Sequence, residues 1–160
     1  MNQLNNKDIL KFILYFSIFS ILFAFYVEFF LGHQPCNLCL LERIPYFAAI
    51  LITILSFIFK NFKKIAFLII GIIFLLSTIL SMYHVGIERG LIEESFICRS
   101  SLELNTLDKE QLLRELEKSV ISCKNVTFFI LGFSLATINI FVSIIISFIT
   151  LRIFYKYEKK

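Results

Sequence analysis

The sequence predicts an all-α membrane protein, a single domain over residues 1–160 built as a bundle of four transmembrane helices. Three observations carry that prediction: an apolar composition, four hydrophobic runs of spanning length, and an excess of basic over acidic residues in alternate gaps, the intervening 86–125 loop being mixed with acids outnumbering bases. Of the 160 residues, 58% are hydrophobic and only 18% are charged, and a water-soluble domain exposing so much apolar surface would aggregate. The 20 Phe read as lipid-facing filler rather than an aromatic cofactor box. With no Trp present, interfacial aromatic anchoring falls to the six Tyr. The net charge of +4 is modest, and no nucleic-acid partner is expected.

The four spans are expected at about 12–30, 40–59, 65–85 and 126–151. About 20 helical residues, rising roughly 1.5 Å each, cross the hydrocarbon core. The first run is too long for a secretory leader, and no small-residue cleavage site follows it, so it reads as an uncleaved helix. The second run is continuously apolar only over 44–59 and starts earlier, between Pro35 and Leu40.

Orientation follows from the cations. Lys7 and Lys11 precede the first span, Lys60, Lys63 and Lys64 separate the second from the third, and Arg152, Lys156, Lys159 and Lys160 follow the fourth. The positive-inside tendency places both termini and the 60–64 turn in the cytoplasm, with loops of about 31–39 and 86–125 outside. Within the second outer loop, Asn105-Thr106-Leu107-Asp108 has the character of a helix cap. Leu112, Leu113, Leu116 and Val120 then share one face. A short amphipathic helix along the membrane surface is expected there.

All four cysteines then fall on the outer side as two pairs, Cys36 with Cys39 and Cys98 with Cys123. Paired thiols on an oxidising face imply disulfide chemistry, structural or catalytic. In Pro35-Cys36-Asn37-Leu38-Cys39, two intervening residues let both sulfurs meet across one helical turn, and the proline is placed to start that helix. The positive helix start and Arg43 favour a thiolate. Cys39 and Arg43 are four residues apart, so they share a face. A guanidinium at this depth costs up to roughly 3 kcal/mol, which calls for a polar partner such as a thiolate or a ligand carbonyl, or for snorkelling to headgroups. Leu40 after the second cysteine excludes haem attachment. A zinc site of all four sulfurs is disfavoured, since the second pair lacks zinc-ribbon spacing and outward thiols tend to oxidise. Taken alone, Cys98 and Cys123 are equally consistent with a loop-closing disulfide worth roughly 2–4 kcal/mol. Two pairs able to exchange by thiolate attack would instead make an electron relay.

Gln34-Pro35-Cys36-x-Leu38-Cys39-Leu40-x-Glu42-Arg43-x-Pro45-Tyr46 resembles the signature of the DsbB family of membrane disulfide-oxidising proteins. Tyr83-His84-x-Gly86-x-Glu88 and Gly132-x-Ser134-x-Ala136-x-x-Asn139 are similar to stretches in its bacterial members, although the tryptophans common in that family's outer loop are absent. The resemblance implies a bacterial inner-membrane protein that reoxidises a periplasmic DsbA-like thioredoxin-fold protein. It passes the electrons to a membrane quinone, ubiquinone or menaquinone, as in the known DsbA–DsbB–quinone route. By position, it implies catalytic roles for Cys36, Cys39, Cys98 and Cys123. Cys98 would be attacked by the partner, Cys123 would then attack Cys36, and Cys39 with Arg43 would face the quinone. His84 and Glu88 read as polar anchors at the outer interface or as proton carriers, and Asn139 as interhelical glue. Two alternatives stay open: a membrane protein stapled by two disulfides, and a relative of the quinone-linked vitamin K epoxide reductases. The latter carry their Cys-x-x-Cys near a late helix rather than ahead of the second span.

Overall fold

The structure, a computed structural model, describes residues 6–59, 62–93, 98, 123, 129–130 and 132–158. Four helical segments among these are long and apolar enough to cross a membrane: Lys7–Phe29, Asn37–Ile58, Lys63–Glu88 and Leu135–Tyr157. The all-α bundle read from the sequence is the architecture observed. The amphipathic helix expected between Asn105 and Val120 lies outside the described residues.

Helix α1 spans Asn6–Phe29, about 36 Å at the usual rise. The second span is built from two pieces, α2 (Asn37–Leu41) and α3 (Ile44–Ile58). Pro45 causes the break. Having no N–H, it cannot bond back to the carbonyl four residues earlier, and the chain tightens through Arg43 N–H to Leu40 O at 3.1 Å. Glu42 and Arg43 therefore leave the helix at its interruption, with their side chains free to point in different directions. Helix α4 (Lys63–Glu88) is uninterrupted. A two-residue hairpin, β1 (Phe129–Ile130) and β2 (Phe133–Ser134), pairs antiparallel with Ile130 opposite Phe133 and leads into α5 (Leu135–Glu158).

The fourth helix begins at Leu135, whereas the apolar run predicted a span from 126. Two local features set the later start. Gly132 takes φ 84°, a left-handed turn that glycine adopts without penalty, and the Ser134 hydroxyl accepts the Thr137 N–H at 3.2 Å, an N-cap. Phe129 and Phe133 keep the segment apolar without making it helical.

Helix α1 packs on α3, α3 on α4, and α4 most extensively on α5. A seam of small residues brings the last two together. Ser147 donates to the Gly71 carbonyl at 2.9 Å, and a Cβ on Gly71 would lie 2.7 Å from Leu151 Cδ2. Close backbone approach through small and hydroxylated residues is how helices associate where hydrophobicity gives no contrast with lipid. Phe67, Ile70, Phe74, Leu10 and Ile13 form the buried core. Phe12, Phe19, Leu51, Leu76 and Phe148 are exposed, an outer surface suited to acyl chains. Lys64 stacks over the Phe154 ring at one end of the bundle, and the cysteines cluster at the other.

Candidate active site

The site begins with the start of α2. Cys36 is the N-cap residue, in extended conformation, and its sulfur accepts the Cys39 N–H at 3.2 Å. One turn of helix then carries Cys39 back over Cys36, so that the two sulfurs stand 2.7 Å apart, closer than van der Waals contact and poised for a bond. Cys98 and Cys123 are joined as a disulfide, with Cα atoms 5.6 Å apart, a separation normal for such a bridge. Cys36, Cys98 and Cys123 are all buried in one cluster with Leu38 and Ile87, and Cys39 packs against it. The two pairs, separated widely in sequence, are neighbours in space.

His84 comes to this cluster from the outer end of α4, almost wholly buried. Its Nε2 lies 3.5 Å from Cys36 Sγ and its Nδ1 lies 2.8 Å from Glu42 Oε1. Glu88 Oε1 is 3.7 Å from Nε2. Interfacial anchoring, one reading of His84, does not fit: the ring faces sulfur and carboxylate inside the bundle. Asn139 of α5 donates from Nδ2 to Glu42 Oε2 at 3.2 Å and to Ser81 Oγ at 2.8 Å. Its Oδ1 accepts the Tyr46 hydroxyl at 2.6 Å. Asn139 is thus interhelical glue, as expected, and it also fixes the carboxylate behind the histidine. A chain of contacts, Tyr46–Asn139–Glu42–His84–Cys36, runs from the core to the sulfur.

Arg43 does not contact either sulfur through a hydrogen bond. Its Nη1 donates to Glu28 Oε2 of α1 at 2.7 Å, and the guanidinium sits 5.2 Å above the Phe25 ring. The polar partner required of a buried cation is a carboxylate, not the thiolate. Arg43 nevertheless lines the same cavity as Cys36 and Cys39.

That cavity has a volume of about 390 Å³ and is walled by α1, the α2–α3 break, α4 and α5. Phe16, Phe19, Phe23 and Val142 make its sides apolar, while Cys39, Arg43 and His84 supply polar groups. An apolar cavity with a few convergent polar groups is the usual form of a small-ligand site, and this lining suits an apolar ligand that carries a few polar atoms.

Cys36, one residue ahead of the second span, has its thiol held below the ordinary range. The hydrogen bond from Cys39 is the largest cause. The His84 imidazole and the Cys39 N–H add to it, and burial opposes it. A depressed thiol supplies the nucleophile and the good leaving group that disulfide exchange requires.

Sequence reasoning assigned no role to Glu42 or Glu28. The available signal was general: carboxylates within apolar runs are expensive and imply internal partners. Which partners they have depends on the Pro45 break, which turns adjacent residues Glu42 and Arg43 toward different helices.

Two thiol pairs gathered at one end of a four-span bundle define a multi-pass membrane protein of the disulfide-forming class. The chain belongs to the family of disulfide bond formation protein DsbB, whose family model matches residues 6–153. It is also similar to an uncharacterized protein of Rickettsia prowazekii (strain Madrid E), with 31% identity over 147 residues, covering 90% of this chain and 86% of the relative. No solved structure matches it. Family membership makes the chain a thiol oxidoreductase, and it favours this assignment over the vitamin K epoxide reductase alternative.

Proposed function

We propose that this protein reoxidises a DsbA-like thioredoxin-fold dithiol protein in the bacterial periplasm and delivers the two electrons to a quinone in the inner membrane. The observation that carries the reading is the gathering of both cysteine pairs in one cluster at the edge of an apolar cavity. The orientation rests on charge. Lys63 and Lys64 begin α4 and Lys156 lies in the last turn of α5, so the positive-inside rule puts that end in the cytoplasm and the cysteine end outside.

The exchange starts when a partner thiolate attacks Cys98 Sγ. The Cys98–Cys123 bond breaks, and Cys123 leaves as a thiolate. Cys123 attacks Cys36 Sγ of the closed Cys36–Cys39 pair, and Cys39 leaves as a thiolate toward the cavity. The partner's second thiolate closes its own disulfide and releases Cys98. Cys98 then attacks Cys123, restoring Cys98–Cys123 and freeing Cys36. Two electrons have moved from the partner to Cys36 and Cys39, with each bond broken replaced by one formed. His84 Nε2, facing Cys36 Sγ, can hold the proton that this sulfur gains or loses, and Glu42 fixes the ring by binding Nδ1. A bound quinone supplies uptake of the two electrons and two protons released as Cys36–Cys39 closes. Arg43, at the cavity wall, would orient such a ring and polarise its oxygen.

The reading is tested with the purified protein in lipid nanodiscs, a reduced periplasmic thioredoxin-fold protein, and ubiquinone or menaquinone. Loss of quinone absorbance in step with partner oxidation, one quinone per dithiol, is expected. Disulfides inert to both reagents would refute it and leave the cysteines as structural staples.

A further inference from the structure

We propose that the reduced Cys36–Cys39 pair and His84 form a binding site for a thiophilic divalent cation of the zinc class, a site that exists only while the disulfide is open. The site depends on this geometry and not on where the electrons go, so it stands apart from the quinone reading. It differs from a site of four sulfurs, because Cys98 and Cys123 take no part.

Four observations converge. Cys36 Sγ, Cys39 Sγ and one His84 ring nitrogen all lie within 4.8 Å of one another. The 3.5 Å between Cys36 Sγ and His84 Nε2 is close to the edge of a tetrahedron with zinc–sulfur and zinc–nitrogen bonds of about 2.3 and 2.0 Å. The sulfurs, 2.7 Å apart, need to part by about 1 Å to share an ion at those bond lengths, which scission of the disulfide allows. Second, His84 is already arranged as a ligand. Its Nδ1 is held at 2.8 Å by Glu42, leaving Nε2 to face the sulfurs, and Glu42 is itself fixed by Asn139. A carboxylate behind a histidine is the arrangement that orients metal-binding imidazoles and raises their basicity. Third, Glu88 Oε1 lies 3.7 Å from Nε2, outside the three-residue cluster but near enough for its side chain to turn toward an ion held there. Fourth, Cys36, Cys39, His84 and Glu88 all border the cavity, which gives the ion a route in.

Two thiolates and one imidazole, with the fourth position open to water or to Glu88, make a donor set that suits zinc and its softer congener cadmium. Binding displaces any protons the two thiols retain. Closing the disulfide removes both sulfur donors and expels the ion. An ion that binds the reduced form alone stabilises it by mass action, so the cation acts as a brake, holding the pair reduced until it dissociates.

The test uses full-length protein carrying Cys98→Ser and Cys123→Ser, so that only the proposed thiols remain. After reduction and removal of reductant under anaerobic conditions, it is titrated with Cd²⁺ and followed by the ultraviolet thiolate-to-metal charge-transfer band. Zn²⁺ affinity is measured by chelator competition. One equivalent is expected for the reduced protein and none after Cys36–Cys39 is reoxidised. Glu42→Gln should weaken Zn²⁺ binding about 10–100-fold, the usual range for an outer partner, and His84→Gln, which removes a ligand, should weaken it further. Should His84→Gln fail to fold, Glu42→Gln carries the comparison, and Co²⁺ bound to the reduced protein should show the intense visible bands of four-coordinate geometry. Absence of the cadmium band, equal affinity in the foldable variants, or a six-coordinate cobalt spectrum would overturn the proposal.

Discussion

Arg43 and Glu28 form an ion pair at 2.7 Å across the α1–α3 contact, at the wall of the cavity that also holds Cys36 and Cys39. Both side chains are largely shielded from solvent, at 14% and 23% exposure, so each depends on the other. The guanidinium is thereby positioned by α1 rather than by the sulfurs one turn away.

Removing the cation should therefore affect ligand use more than folding chemistry. Arg43→Ala is expected to raise the apparent KM for quinone about tenfold in steady-state assays while thiol exchange with the partner proceeds. Glu28→Ala leaves a shielded cation unpaired and should cost about 1–3 kcal/mol of stability, read by thermal unfolding in nanodiscs. Unchanged quinone kinetics in Arg43→Ala would reduce Arg43 to an anchor.

Cys36→Ser and Cys39→Ser should each abolish quinone reduction to background. The Cys98–Cys123 disulfide and the helical circular dichroism should stay intact, because neither serine disturbs the packing of α2. Residual turnover in either variant above about 1% of the parent would remove the residue from the relay.

The low thiol value at Cys36 has a definite sign in pH. An acid group with a depressed folded value contributes stability that is present above its ordinary value and lost as pH falls through the depressed one. Cys36 is depressed mainly by the Cys39 hydrogen bond and then by His84, so its thiolate persists well below about pH 8.5, where an ordinary thiol protonates. In the reduced Cys98→Ser, Cys123→Ser protein, iodoacetamide should alkylate residue 36 at pH 6.5 within about threefold of its rate at pH 8.5. An ordinary thiol would slow about 50-fold over that range. Peptide mass mapping measures the ratio, and a 50-fold fall at residue 36 would contradict the assignment.

Asn139 joins three helices through Tyr46, Glu42 and Ser81. Asn139→Ala removes the 2.6 Å partner of the Tyr46 hydroxyl and loosens Glu42, at an expected cost of about 1–3 kcal/mol. It should also slow thiol exchange at Cys36 through the freed His84, whereas Ser143→Ala, which removes long contacts of 3.3 Å to Ser77 and 3.4 Å to Asn139, should change stability by less than about 1 kcal/mol. Equal effects of the two substitutions in unfolding and turnover would show that the network does not depend on Asn139.

The spans were legible because the requirement to satisfy every backbone group in lipid leaves long apolar helices as their signature. The first cysteine pair was legible by spacing, the second by its placement in the same outer loop, and Asn139 by its polarity inside a span. The start of α5 was not, since Phe129 and Phe133 of the hairpin are as apolar as the helix that follows, and only Gly132 and Ser134 mark the boundary. The partners of Glu42 and Arg43 were hidden for a different reason. Helical periodicity places Arg43 on the face of Cys39, and that inference fails where Pro45 interrupts the helix. His84 was visible as a residue at the end of a span, but its contact with Cys36 is a tertiary fact between positions 48 apart in sequence, which no local pattern encodes.

Transfer of electrons between the two cysteine pairs requires that Cys123 can bond to Cys36, and this is directly measurable. In a full-length chain carrying Cys39→Ser and Cys98→Ser, mild oxidation followed by proteolysis and mass spectrometry should recover a disulfide linking residues 36 and 123 within one chain. Persistent free thiols, or links only between separate chains, would contradict the relay.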